Sequence, residues 1–138
     1  MTLACGVDLI EIARVAQAAE RHGERFYRRF FTPAEQSACQ GRPARLAGRV
    51  AVKEAVAKAL GTGIGDFNWT DIEVLGDERG KPELALHNRA RQVADACGLS
   101  EWSISLAHTA THAIGLAVAS GGGDRPMNLA ESAGLAAG

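Results

Sequence analysis

The segment from Leu46 to Gly63, LAGRVAVKEAVAKALGTG, holds the residues best suited to chemistry: Arg49, Lys53, Glu54 and Lys58 stand in a run of Ala, Val and Leu. Strong helix formers fill it and Gly61 supplies a stop, so the pattern predicts one helix. At about 100° per residue, Arg49 and Lys53 fall in the arc of Leu46, Val50, Val52, Val56 and Leu60, with Glu54 and Lys58 on an Ala-rich flank. These charges have no solvent face of their own. A buried, unpaired charge is costly, so such a helix should hold them only where they meet partners or line a site. Three cations against one carboxylate favour an anion such as phosphate. A second reading stays open on the residues alone: a buried helix in which Glu54 and Lys58 form an i,i+4 pair while Arg and Lys stems snorkel to the edge.

A second acid, Asp8, lies in Leu3 to Ile10, which reads as a strand with Leu3, Cys5, Val7 and Leu9 on one face and Gly6, Asp8 and Ile10 on the other. Its plainer reading is a strand-end acid pairing with a nearby Arg. Glu11 to His22 reads as a helix closed by Gly23, with Arg14, Ala18 and Arg21 along one stripe, Arg25 joining if the helix continues, and Arg28 and Arg29 close behind. Such a stripe is a solvated face unless an acidic partner meets it. Thr32-Pro33-Ala34-Glu35 predicts a capping box and a short helix to about Gln40, ended by Gly41. Gly41 to Arg45 is expected to be a loop carrying Arg42 and Arg45. Gly61-Thr62-Gly63-Ile64-Gly65 lacks a Gly-Lys-Ser/Thr ending and follows no strand, so it is not a P-loop.

The second part is richer in strands. Trp69 to Leu75 and Glu83 to His87 are candidates, joined by a hairpin-like turn over Gly76 to Pro82. Asn88 can cap a helix to Cys97 that Gly98 stops. Trp102 to Ala107 and Ala113 to Ser120 then read as strands linked by His108-Thr109-Ala110-Thr111-His112. The order is one strand, three helices, then ββαββ, which predicts an α+β fold with helices packed on a mainly antiparallel sheet. His108 and His112 are four apart, but in strand and turn they share no helical ligand face and have no third ligand in view, so the reading disfavours zinc. Residues 1–120 are expected to form a single domain, with 121–138 a flexible Gly/Ala-rich tail.

Within 138 residues, 46% hydrophobic and 22% charged, no apolar run is long enough to span a bilayer. The Met1 end has no basic leader before its apolar segment, and Cys5, Cys39 and Cys97 lack CxxC spacing. A cytoplasmic protein with reduced, mostly buried thiols is expected. The net charge of −1 conceals an asymmetry: Arg14 to Lys58 holds ten Lys or Arg against four Asp or Glu, whereas Ala59 onward holds five against ten. The basic part predicts an anionic partner. Nucleic acid is one candidate, but at 5% aromatic residues, not interleaved with the basic ones, the chain lacks the parts of a single-strand stacking platform, so no nucleic-acid partner is expected, and without a bilayer-length apolar run no membrane partner is expected.

Gly6-Val7-Asp8-Leu9-Ile10-Glu11-Ile12, Phe31-Thr32-Pro33-Ala34-Glu35, the Leu46 to Gly63 segment, Gly80-Lys81-Pro82 and Ser105-Leu106-Ala107-His108-Thr109 occur in the order found in the bacterial holo-acyl-carrier-protein synthases, which the chain resembles over roughly residues 3 to 120. The resemblance implies a 4′-phosphopantetheinyl transferase-like fold and transfer of phosphopantetheine from coenzyme A to a serine of an apo acyl carrier protein, with release of adenosine bisphosphate. It implies that Asp8 and Glu54 hold magnesium, that Glu54 takes the serine proton and that Lys58 neutralises or protonates the departing phosphate. Arg49, Lys53 and His108 are implied phosphate contacts, Arg45 lies near the ribose phosphate, and Gly80, Lys81 and Pro82 hold the adenine end. The stripe Arg14, Arg21, Arg25 and Arg28 would meet the acidic carrier. A homotrimer with sites across subunit boundaries is also implied. One residue departs from the family pattern, in which Ser or Thr often precedes the His: here it is Ala107.

Overall fold

The computed structural model describes residues 1–76 and 79–122. The chain runs through β1 (Thr2–Glu11), α1 (Ile12–His22), α2 (Glu24–Phe30), α3 (Pro33–Cys39), α4 (Pro43–Ala59), two single 3-10 turns at Ile64–Asp66 and Trp69–Asp71, β2 (Ile72–Gly76), β3 (Pro82–Leu86), α5 (Asn88–Ala96), β4 (Glu101–His108) and β5 (His112–Gly121). The α+β architecture is as expected, and every strand pairing is antiparallel: one sheet in the order β1-β5-β4, a second of β2-β3. Among the described residues no helix is long and apolar enough to cross a membrane.

Several boundaries differ from expectation. Four helices, not three, follow β1, because Gly23 at φ +54° both ends α1 and restarts the chain as α2. The capping box at Thr32 and Glu35 is present, and Gln40 in the left-handed region closes α3. The expected loop Gly41 to Arg45 is cut short because Pro43, whose ring presets a helical φ, starts α4 at its first turn. Asn88 is the first residue of α5, not its cap; its amide donates to Asp71 Oδ1 at 3.1 Å. Gly121 pairs with Thr2, so β5 runs one residue past the expected domain end. The remainder of the tail, and part of the Gly76 to Pro82 turn, lie outside the described residues. Cys39 and Cys97 are buried, but Cys5 is exposed, since it points outward from β1.

Helix α4 is central. Its first half packs in a cluster with Ile12, Val15, Phe26, Phe31 and Cys39, its second half in one with Ile72, Val74, Val93, Leu99 and Ile104. It crosses the three-stranded sheet diagonally, and glycine decides how near it comes. A β-carbon on Gly115 of β5 would lie 2.4 Å from the Val52 nitrogen, and one on Gly6 of β1 would lie 1.9 Å from the Ala55 carbonyl oxygen. Backbone thus rests on backbone along the line from β5 to β1. On β4 the contact is looser, Gly48 facing the side chain of Leu106.

On β1 and β5 the larger apolar side chains face outward, away from the helix. Gly6, Asp8 and Ile10 turn toward α4, while Leu3, Val7 and Leu9, with Ile114, Leu116 and Val118 of β5, stay 38–68% exposed on the outside. Because α4 and β1 touch through main chain, Gly6→Ala is expected to cost about 2 kcal/mol or more as an overpacking change, read as a lowered urea midpoint; wild-type stability would contradict the contact.

Candidate active site

The glycine contact determines what faces what. Asp8 is the cross-strand partner of Gly115, and Gly6 of Ala117, so Asp8 stands on the covered face beside the line where α4 descends onto β1. Ala55 is the residue above Gly6, and Glu54 and Lys58 flank it one helical turn apart. Lys58 reaches across to β1, its Nζ donating to Asp8 Oδ1 at 3.1 Å and to the Val7 carbonyl at 3.0 Å. The ion pair Lys58 forms is therefore with Asp8, not with Glu54 one turn back. Glu54 is half-buried, and its carboxyl binds its proton more tightly than an ordinary glutamate: burial is the main cause and the charge of Asp8 the second, against the opposing pull of Lys58. Asp8, Glu54 and Lys58, up to 50 residues apart in sequence, thus form one electrostatic cluster. An acid with raised proton affinity beside a second carboxylate and an ammonium can accept a proton from a hydroxyl and stabilise a phosphate.

Lys53 is a correction. Its expected phosphate role is incompatible with its placement: the side chain is fully buried, and the ammonium donates to Glu35 Oε1 at 2.7 Å, to the Phe30 carbonyl at 2.7 Å and to the Trp69 carbonyl at 3.1 Å. An ammonium has three protons to give, and all three are engaged inside the protein. Burial pulls the Lys53 pKa below its usual value, partly countered by Glu35. Glu35 also accepts from Thr32 N and Val74 N, tying α3, α4 and β2 at one point.

The other nucleotide candidates make different contacts. Arg49 Nε donates to the Val74 carbonyl at 3.2 Å and Arg45 Nη1 to the Ala38 carbonyl at 3.2 Å, so both reach toward β2 and α3. His108 ends β4 on the α4-facing side, its Nδ1 3.1 Å from the Thr109 carbonyl oxygen. Lys81 and Pro82 line a cleft of about 350 Å³ with Trp102, Ser103 and Ile104, at the sheet edge opposite β1; Gly80 precedes them at φ +81°. Ala107 pairs with Ile114 on the outward face. A hydroxyl there would therefore project away from the side on which His108 stands, because successive strand residues alternate. Among the described residues no three His, Cys, Asp or Glu side chains converge on one point, and His112 Nδ1 lies 2.8 Å from Thr111 Oγ1.

The basic stripe divides at Gly23. Arg14 and Arg21 of α1 line a small hollow with Gln17, Ala18 and His22. A groove of about 570 Å³ adjoins it, lined by Ala18, His22, Arg25, Phe26, Arg29 and Phe30. Arg29, whose guanidinium lies 5.5 Å from the Phe30 ring centre, lines the groove as well, and Arg28 stands exposed beside it on the same helix. The signal was present in the repeat Arg25-Phe26 and Arg29-Phe30 at i,i+4, legible only once α2 is recognised as a separate helix.

Comparison with known proteins identifies the family. The family profile for the 4′-phosphopantetheinyl transferase superfamily matches residues 4–117. The holo-[acyl-carrier-protein] synthase of Herpetosiphon aurantiacus is 46% identical over 126 residues, covering 86% of this chain and 99% of that protein. The one from Moorella thermoacetica is 48% identical over 120 residues, covering 85% and 91%. Among solved structures, the Helicobacter pylori holo-[acyl-carrier-protein] synthase in complex with coenzyme A superposes with a TM-score of 0.77 at 31% identity, covering 84% of this chain and 99% of that one. By profile, sequence and fold together, the chain belongs to the 4′-phosphopantetheinyl transferase superfamily, within its enzyme family of holo-[acyl-carrier-protein] synthases.

Proposed function

We propose that this protein moves 4′-phosphopantetheine from coenzyme A to a serine of an apo acyl carrier protein, releasing adenosine 3′,5′-bisphosphate, in a magnesium-dependent reaction in the cytoplasm. The observation that carries this reading is the Asp8–Glu54–Lys58 cluster at the contact of β1 with α4. The donor set suits magnesium: that ion takes one or two carboxylates and fills its shell with water and substrate phosphate, and the Lys58 ammonium on Asp8 is a stand-in cation at the same carboxylate. Asp8 and Glu54 would hold the ion, which when bound neutralises charge on the diphosphate.

The transfer forms a bond from the serine oxygen to the pantetheine-bearing phosphorus and breaks that phosphorus–oxygen bond of the diphosphate. Glu54, directly or through a water, takes the serine proton, a role suited to a carboxylate of raised proton affinity. Lys58, whose side chain is 54% exposed, swings to meet the departing phosphate. Arg49, Arg45 and His108 serve as further phosphate contacts, Arg49 through the terminal amino groups not bonded to Val74.

Within one chain Gly80–Pro82 lie at the sheet edge away from Asp8, so the adenine-holding turn is supplied to each site by a neighbouring copy in a homotrimer. The outward face of β1 and β5 supports this. Six large apolar side chains stand exposed there on adjacent paired strands, an arrangement characteristic of a subunit interface. The carrier docks on α1 and α2, where Arg14, Arg21, Arg25 and Arg28, joined by Arg29, meet its acidic surface around an apolar floor of Phe26 and Phe30.

Incubated with coenzyme A, magnesium and apo carrier, the protein is expected to add one phosphopantetheine to the carrier by intact mass. Asp8→Ala and Glu54→Ala should each lower that rate by about 100-fold or more with the fold retained; a wild-type rate in either removes the site assignment. Arg14→Glu combined with Arg21→Glu should weaken carrier binding and flatten its dependence on salt, and an unaltered salt slope would refute the docking face. Leu9→Glu with Leu116→Glu should yield a monomer by analytical ultracentrifugation that no longer transfers. A trimer surviving those two charges would refute the interface.

A further inference from the structure

The Asp8 site already contains a cation belonging to the chain. Lys58 comes from the last turn of α4 and its side chain is more than half exposed. It is held on β1 by two acceptors three ångströms away, a carboxylate oxygen and a main-chain carbonyl of consecutive residues. Asp8 and Glu54 repel one another, and Lys58 attracts Glu54 as well as Asp8. The ammonium is thus the counter-ion that keeps two carboxylates tolerable at one helix–strand contact. A divalent ion ligated by Asp8 would bind the same carboxylate and carry twice the charge. The two cations would repel strongly across a shared carboxylate.

We propose that Lys58 is a resident counter-ion of the metal-free site, which leaves Asp8 and Val7 when a divalent cation binds and is thereby delivered to the diphosphate. In the metal-free protein Lys58 is engaged against β1 and withheld from anions; in the loaded protein its partner on β1 is taken and its ammonium turns outward. Metal and anionic substrate then bind with positive coupling beyond their direct contact, because filling Asp8 removes the competitor of the phosphate for Lys58. The anion's identity rests on the transfer reading above. The exchange at Asp8 does not.

The test needs no turnover. Manganese is titrated into the full-length protein without coenzyme A, free ion being followed by electron paramagnetic resonance, for the wild type, Lys58→Met and Asp8→Asn. Lys58→Met should bind manganese about two- to fivefold more tightly, the gain equivalent to an exposed ion pair, and Asp8→Asn should bind it far more weakly. In parallel, the wild-type protein is treated with an amine-acetylating reagent with and without magnesium and analysed by peptide mass. Magnesium should raise modification at Lys58 but not at Lys81. Manganese binding in the wild type with no gain in Lys58→Met, or acetylation of Lys58 indifferent to magnesium, overturns the exchange and leaves the transfer reading standing. No metal binding in any form overturns both the exchange and the metal assignment beneath it.

Discussion

Everything chemical in this molecule depends on how closely α4 approaches β1. A helix normally packs on a sheet through side chains on both surfaces, which would leave Glu54 and Lys58 a side chain's length from Asp8. Here Gly6 and Gly115 remove the sheet's contribution, and Ala51 and Ala55 keep the helix's side thin, so the two backbones meet. At that separation a lysine on the helix can span to a strand carbonyl and a strand carboxylate together. The site is therefore built on regular, well-packed elements, and its residues gain their precision from the core.

The core also contains the explanation for Lys53. Burying Lys53 with Glu35 is poor as a source of stability, since both ions lose their hydration, and an apolar pair of similar size would often do as well. What the pair supplies is definition. Its acceptors and donors come from Phe30, Thr32, Trp69 and Val74, so a slip of α4 by one residue would leave several buried polar groups unpaired at once. Lys53 immediately precedes Glu54, and the bonds that hold one fix the rotation of the other. A neighbouring network, Thr32 and His87 on Glu73, holds the other side of β2 in place; burial would raise the Glu73 pKa, but those hydrogen bonds bring it below the ordinary value.

How much of this was legible in the sequence follows from how local each signal is. The capping box at Thr32, the stops at Gly23 and Gly61, and the alternation in β1 and β5 are properties of a few adjacent residues, and the structure reproduces them within a residue or two. The α+β class follows from their order. Helix α2 was missed because seven residues bounded by Gly23 and Phe31 are too short to show a period, and its aromatic residues read equally well as loop or strand. Lys53 and Arg49 illustrate a deeper limit. Both lie in the same apolar arc, and helical phase says that each needs a partner but not which kind. Only the tertiary position of Glu35, eighteen residues earlier, decides that Lys53 is structural. The outward-facing leucines of β1 show the same limit in reverse: alternation separates the two faces correctly but cannot say which of them turns inward.

That last ambiguity has a physical resolution. The covered face of β1 carries Gly6 and Asp8 because α4 must lie close and a carboxylate must meet its lysine, so it has little apolar surface to give. Leu3, Val7 and Leu9 then fall on the outside by strand geometry, and β5, with Ala113, Gly115, Ala117 and Ala119 beneath the helix, places Ile114, Leu116 and Val118 there as well. A sheet whose inner face is given to small residues for close approach of a helix leaves its larger apolar side chains of β1 and β5 on the other side. On the proposed reading further copies of the chain cover them. The demand for tight helix–strand contact at Asp8, the exposed apolar face, and the distance of Gly80–Pro82 from Asp8 within one chain then share a single cause, since a surface that draws copies together also carries a remote turn to a neighbour's diphosphate.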